Sequence, residues 1–225
     1  MDALATLREE VVACRACPRL VACRERVARE KKREFQNESY WGRPVPGFGD
    51  PQARLVVVGL APAAHGSNRT GRMFTGDRSA AFLVGSLYKA GFASQPTSTH
   101  RGDGLRYRDL YLTAGVRCVP PDNRPTPEER DRCRPFLERE FRLLPEARAY
   151  LALGGFAWDV TLEAARRVHG VPLPKQPFAH GACAPLGPGL PLVWGSYHPS
   201  PQNTNTGRLT PAMLAVLLDR IRSSW

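Results

Sequence analysis

The stretch Arg54-Leu55-Val56-Val57-Val58-Gly59-Leu60 constrains the fold of this chain more than any other segment. Its apolar residues run on without the alternation of a half-solvated strand. Both faces must therefore be covered, which is the situation of a strand in a parallel sheet flanked by helices. Similar runs recur at Leu110-Tyr111-Leu112-Thr113, Ala149-Tyr150-Leu151-Ala152-Leu153 and Pro191-Leu192-Val193-Trp194. Helical segments lie between and after them. They are Ser79–Ala90, a helix opened by the capping box Thr126-Pro127-Glu128-Glu129, Phe156–Val168 closing at Gly170, and a final helix from Thr210-Pro211 to near Ile221. Strands alternating with helices imply βαβ units, so the expected fold is α/β, a three-layer α/β/α sandwich around a mostly parallel four-stranded sheet. Residues 1–225 read as a single domain. Residues 2–33 read as helical with a break at Cys17–Pro18, where the residue before proline disfavours helix. Tyr40–Gly49, dense in Gly, Pro and aromatic residues, reads as loop.

Composition excludes several classes. At 42% hydrophobic residues the chain is not disordered in bulk. No run approaches the roughly 18 apolar residues that a membrane helix needs, and Met1–Arg33 lacks the apolar core of a signal peptide. A soluble cytoplasmic protein with no membrane partner, and a monomer, is expected. The 32 Lys and Arg against 21 Asp and Glu give a formal charge of +11, which favours polyanionic partners. Only Lys31, Lys32, Lys89 and Lys175 are lysine, so part of this basicity is a general richness in arginine.

In open α/β sheets, ligands bind beyond the C-terminal ends of the strands. Three long loops fall there: Gly59–Arg78, Val116–Pro125 and Ser196–Arg208, all rich in Gly, Asn, Ser, Thr and Arg. Three such loops converging on one sheet edge suggest a site. Six cysteines in a cytoplasmic chain argue against structural disulfides. Cys14 and Cys17 form C-x2-C, and Cys118 and Cys133 form a looser pair. Zinc normally uses two tight pairs, whereas four thiolates can instead hold a [4Fe–4S] cluster; the bland alternative is a set of small buried hydrophobes.

Taken together, these residues resemble a known family. Gly59-Leu60-Ala61-Pro62-Ala63 followed by Gly71-Arg72-Met73-Phe74-Thr75-Gly76 resembles the first active-site motif of uracil-DNA glycosylases, and His198-Pro199-Ser200-Pro201 resembles the second. Cys14, Cys17, Cys118 and Cys133 resemble the cluster ligands of the iron–sulfur members, families four and five. The resemblance spans Cys14 to the final helix. It is closest to family five, the type-B enzymes, because the first motif holds no Asp, Asn or Glu in Gly59–Ala64, and Ala114 stands where family four places an asparagine that reads uracil.

The resemblance implies a DNA glycosylase of base excision repair. Its partner is DNA containing uracil or other deaminated bases, the product is an abasic site, and the cofactor is a structural [4Fe–4S] cluster on an N-terminal helical segment. An extruded base would sit in a pocket of Gly59, Ala61, Phe74 and Ala114, with Phe74 stacking on it. His198 would donate to the base as it leaves as an anion. Asn123 either holds the water or caps the turn before Pro125, and Asp77 either assists the water or caps the helix from Arg78. Ser67, Asn68, Arg69, Arg72 and Ser200 are candidate phosphate donors, and Gln202 and Asn203 candidate wedges for the vacated space. Two other classes compete: a metal-stabilised nucleic-acid-binding module without catalysis, and a hydrolase of free nucleosides or nucleotides.

Overall fold

The computed structural model describes residues 2–172 and 176–225. Six strands form one sheet in the order β1-β3-β2-β4-β6-β5. The four apolar runs are its centre: β2 (Leu55–Gly59), β3 (Leu110–Ala114), β4 (Ala149–Leu153) and β6 (Leu192–Ser196), with every neighbouring pair among them parallel. Every residue of β2, β3 and β4 is buried, as uninterrupted apolar runs require. The sheet has two strands more than expected, both short and antiparallel at its edges: β1 (Phe48–Gly49) on β3 and β5 (Cys183–Pro185) on β6. Two or three residues cannot display a periodicity, so the segment Tyr40–Gly49 concealed a strand within what reads as loop.

Helices cover both faces. Leu55, Val57, Leu110 and Leu112 point to the side covered by α4 (Arg78–Lys89) and α8 (Pro211–Arg222). Val56, Val58, Tyr111 and Tyr150 point to the other side, against α1 (Ala3–Ala13), α5 (Pro127–Leu143) and α6 (Gly155–His169). The strand period of two thus divides one continuous apolar sequence between two cores. Truncating a fully buried leucine such as Leu112 to alanine should cost about 2–5 kcal/mol.

The N-terminal helical stretch is broken at the proline. α1 stops at Cys14, and α2 (Pro18–Glu30) begins with Pro18 in its first turn after an extended Cys17. The two helices therefore meet at a bend that carries Cys14 and Cys17. The capping box at Thr126 forms with both of its hydrogen bonds and starts α5, which carries Cys133. Two single-turn helices, α3 (Ser67–Thr70) and α7 (Pro201–Thr204), lie inside the long loops. No helix among the described residues is long and apolar enough to cross a membrane.

Candidate active site

A cavity of about 380 Å³ opens at the C-terminal ends of the central strands, a size usual for small-ligand sites. Gly59 and Ala61 come from the end of β2, Ala114 from the end of β3, Gly154 from the end of β4 and His198 from the loop after β6. Phe74 lies over the end of β2. A Cβ on Gly59 would come within 3.0 Å of its Cζ, so glycine there is what admits the ring. Phe74 also has φ +47°, a left-handed backbone that costs a bulky residue energy. Its neighbours hold it there: buried Thr75 accepts from Arg72 Nε at 2.9 Å and shares a hydrogen bond of 2.7 Å with Ser98 Oγ.

The His198 ring faces Phe74 across the cavity, with ring centres 6.3 Å apart and planes at 34°. Burial pushes its imidazole down to about 4, so it is neutral at physiological pH. Neither ring nitrogen is engaged by another protein group among the described residues, while Asn203 Nδ2 donates to the His198 carbonyl at 2.9 Å and fixes the backbone. The site therefore holds a positioned, neutral donor–acceptor with nothing attached to it. Asp77 lines the same cavity and also caps α4, accepting from Ala80 N at 2.8 Å. Burial raises its carboxyl, against the pull of the Ala80 and Ser79 N–H groups. Asn123 stands on the exposed rim of the cavity with φ +55°, a conformation that asparagine tolerates better than most residues. Ser67 and Ser200 line the wall.

Gly154, Gly155 and Phe156 also line the cavity, and the sequence reading missed them. α6 starts here without a side-chain cap, so its first N–H groups and the positive end of its dipole face the space. The Gly-Gly pair directly after an apolar strand was the available signal.

Four expected DNA contacts are corrected by their burial and bonding. Asn68 is 0% exposed and donates to the Arg24 carbonyl at 3.4 Å. Arg69 stacks on Phe35 at 3.8 Å, donates to the carbonyls of His65 and Gly76, and pairs with Glu38. Arg72 is 3% exposed and holds Asp103 through two bonds of 2.8 and 2.7 Å. These three splint the loop internally and have little surface left for a phosphate. Asn203 is tied to the His198 backbone and is not free to wedge, whereas Gln202 remains exposed.

Cys14, Cys17, Cys118 and Cys133 line one small cavity behind the loop after β3. Among the described residues no group of three or more His, Cys, Asp or Glu is drawn tight enough to hold a single ion. Tetrahedral zinc needs its sulfurs about 3.8 Å apart, whereas a cluster takes one thiolate per iron and spreads its ligands. The surroundings suit an anionic group. Arg24 is 2% exposed, has no carboxylate partner among the described residues and donates to Cys118 Sγ at 3.0 Å, with its Nε unpartnered. The Arg117 N–H donates to Cys133 Sγ at 3.4 Å. Without metal, burial pushes Cys118 up to about 11 and Cys133 up to about 12, so an unmatched buried cation would face neutral thiols. Thiolates on a cluster remove that mismatch. The Arg117 side chain, by contrast, is matched: it is 1% exposed and pairs with the equally buried Glu140 at 2.6 Å. Nothing in the sequence patterns marked Arg24 or the Arg117–Glu140 pair.

Known proteins resemble the chain over most of its length. A profile of the Uracil DNA glycosylase superfamily matches residues 46–222. A Type-5 uracil-DNA glycosylase of Thermus thermophilus is 55% identical over 215 residues, 95% of each chain. One of Pyrobaculum aerophilum is 47% identical over 210 residues, covering 93% of this chain and 88% of that protein. A Type-4 uracil-DNA glycosylase of Archaeoglobus fulgidus is 30% identical over 158 residues, 70% of this chain and 62% of that protein. The match begins near the first glycine-rich loop and closes within the last helix, taking in all the strands of the central sheet, and on it the chain belongs to the uracil-DNA glycosylase superfamily.

Proposed function

We propose that the protein is a DNA-repair glycosylase that extrudes uracil, and with it other deaminated bases, from DNA and hydrolyses the N-glycosidic bond to leave an abasic site. The observation that carries this reading is the neutral, unpartnered His198 ring facing Phe74 across a mostly apolar cavity. A module that only binds nucleic acid has no use for such an imidazole, and among the described residues the cavity is lined by no arginine to hold the phosphate of a free nucleotide.

An extruded base stacks on Phe74, whose ring the Gly59 backbone and the Arg72–Thr75–Ser98 bonds hold in place. The sugar develops positive character as the bond to the base stretches, and the base accumulates negative charge. Neutral His198 donates one N–H to the departing base, and the free N–H groups of α6 set a positive field in the same space. Water enters at the rim, where Asn123 orients it, and the Asp77 oxygen not used in capping takes up its proton. Ala114 brings no amide to the pyrimidine edge, which supports a broader range of bases than uracil alone. Cys14, Cys17, Cys118 and Cys133 would hold a [4Fe–4S] cluster, which when bound supplies no chemistry to the base and clamps the loop after β3 to the α1–α2 bend.

Incubation with a uracil-containing oligonucleotide followed by alkali should give strand scission at the uracil. A protein that binds this DNA but yields no alkali-labile site would overturn the reading.

A further inference from the structure

We propose that the groove between α1, α2 and the segment around Trp41 is a second DNA-contact surface, one that grips the phosphodiester backbone beside the extruded nucleotide; the assignment rests on the glycosylase reading. The groove encloses about 800 Å³ and is lined by Arg8, Arg15, Arg43 and Arg101, against only Glu9 and Glu25; Arg24 also borders it but is buried and turned to Cys118. Glu25 is already bound to Arg15 at 2.7 Å. Arg8, Arg43 and Arg101 make no ion pair among the described residues, unlike Arg69, Arg72 and Arg117 of the catalytic loops. Arg8 Nε is buried with no hydrogen-bond partner. An unbalanced positive groove of this kind calls for a polyanion.

The charges are held in place rather than free to wander. Two exposed guanidiniums approach the Trp41 ring, Arg101 at 4.5 Å and Arg43 at 5.8 Å from its centre. A guanidinium stacked on an indole still offers its edge N–H groups to phosphate oxygens. The indole is itself fixed: its backbone N–H donates to the Arg69 carbonyl at 2.8 Å and its Nε1 to the Pro44 carbonyl at 3.0 Å. Its ring packs on Gly71, where a Cβ would come within 2.8 Å. Arg101 sits on a loop closed by Asp103, which accepts from Thr99 N at 2.8 Å and Leu105 N at 3.0 Å and is gripped by Arg72. Preorganised cations lose little side-chain entropy on binding.

One segment of chain links the groove to the catalytic cavity. The single stretch Gly71–Gly76 places Phe74 inside the cavity, supports Trp41 through Gly71, and sends Arg72 to the loop bearing Arg101. Arg72 therefore serves DNA binding from a distance: it holds the loop whose exposed arginine reaches the backbone.

The test compares the full-length wild type with the double variant Arg43→Ala/Arg101→Ala. For a duplex of about 30 base pairs, Kd should rise about tenfold or more, and the slope of log Kd against log salt should fall by about 2, the value for two lost phosphate contacts. The rate of base release at saturating DNA should be unchanged, and Arg43→Lys/Arg101→Lys should keep the wild-type slope. Wild-type Kd and slope in the alanine variant would overturn the proposal, as would tight binding of inorganic tripolyphosphate in the groove with DNA affinity unaltered. A wild type that binds no DNA at all would count against the glycosylase reading itself.

Discussion

β3 and the loop leaving it serve two cavities within five residues: Ala114 lines the wide one at the sheet edge, and Arg117 and Cys118 line the small one among the cysteines. In the wide cavity the walls are mostly apolar and backbone, and the His198 ring nitrogens are left without partners. In the small one a buried guanidinium and a backbone N–H already point at sulfur. A site that admits a transient ligand keeps its polar groups unpaired until the ligand arrives, whereas one that keeps a permanent guest directs donors to it from the start. The Arg117–Glu140 pair lies beside the second cavity and, through Thr113, against the strand end that floors the first.

If the small cavity is a structural clamp, removing one of its thiols should do the most damage. Cys133→Ala should bind less iron than the wild type, and most of the protein should fail to fold, as followed by iron content and circular dichroism. A well-folded, iron-free Cys133→Ala protein would break the distinction between the two cavities. The clamp's neighbour comes next. Glu140→Leu strands the Arg117 cation and should destabilise the protein by about 3–5 kcal/mol in urea titration, whereas the same loss from an exposed surface pair such as Lys32–Glu34 should leave stability nearly unchanged.

The wide cavity should respond in rate instead of stability. His198→Ala should lower turnover on the order of 10²–10³ with DNA affinity nearly unchanged. The protonation of His198 gives an independent check. Its folded value, about 4, lies below the ordinary 6.5, so the native state resists protonation that the unfolded chain accepts. Stability from this group is full above pH 6.5 and is lost as pH falls from there towards about 4. Activity should carry no His198 titration between pH 5 and 8, and NMR should place the ring's transition near 4. A transition near 6.5 would mean that the ring is not held in the apolar cavity. The smallest effect belongs to the wall. Ala114→Asn should cut hypoxanthine release at least tenfold relative to uracil, roughly the discrimination of 1–3 kcal/mol that one well-placed polar group provides, and an unchanged ratio would move discrimination to the rim.

The two cavities also differ in how far the sequence disclosed them. The apolar runs announced the four central strands, and the helix signals at Thr126, Gly170 and Thr210 placed three helices, because burial on both faces and end-capping leave local patterns. Phe74, Ala114 and His198 were legible because they stand in motif context at strand ends. Phosphate donors were misjudged because an arginine in a glycine-rich loop reads the same whether it faces solvent or, like Arg72, an aspartate 31 residues away. Long-range pairing leaves no local signature. The four cysteines read as candidate ligands of one cluster, but the cation that makes their cavity intelligible, Arg24, looks in sequence like one more charge on an arginine-rich helix.

The contact between Gly59 and Phe74 has a consequence for anyone wishing to change what this protein accepts. One side of the base slot is an aromatic ring resting on bare main chain, so no side chain beneath it can be trimmed to gain depth. Any residue larger than glycine at position 59 crowds the ring, which must then give by a few tenths of an ångström. Enlargement by mutation is therefore confined to the opposite wall and the mouth. A library randomised at positions 114 and 123 with position 59 left untouched would sample the variation that the architecture permits.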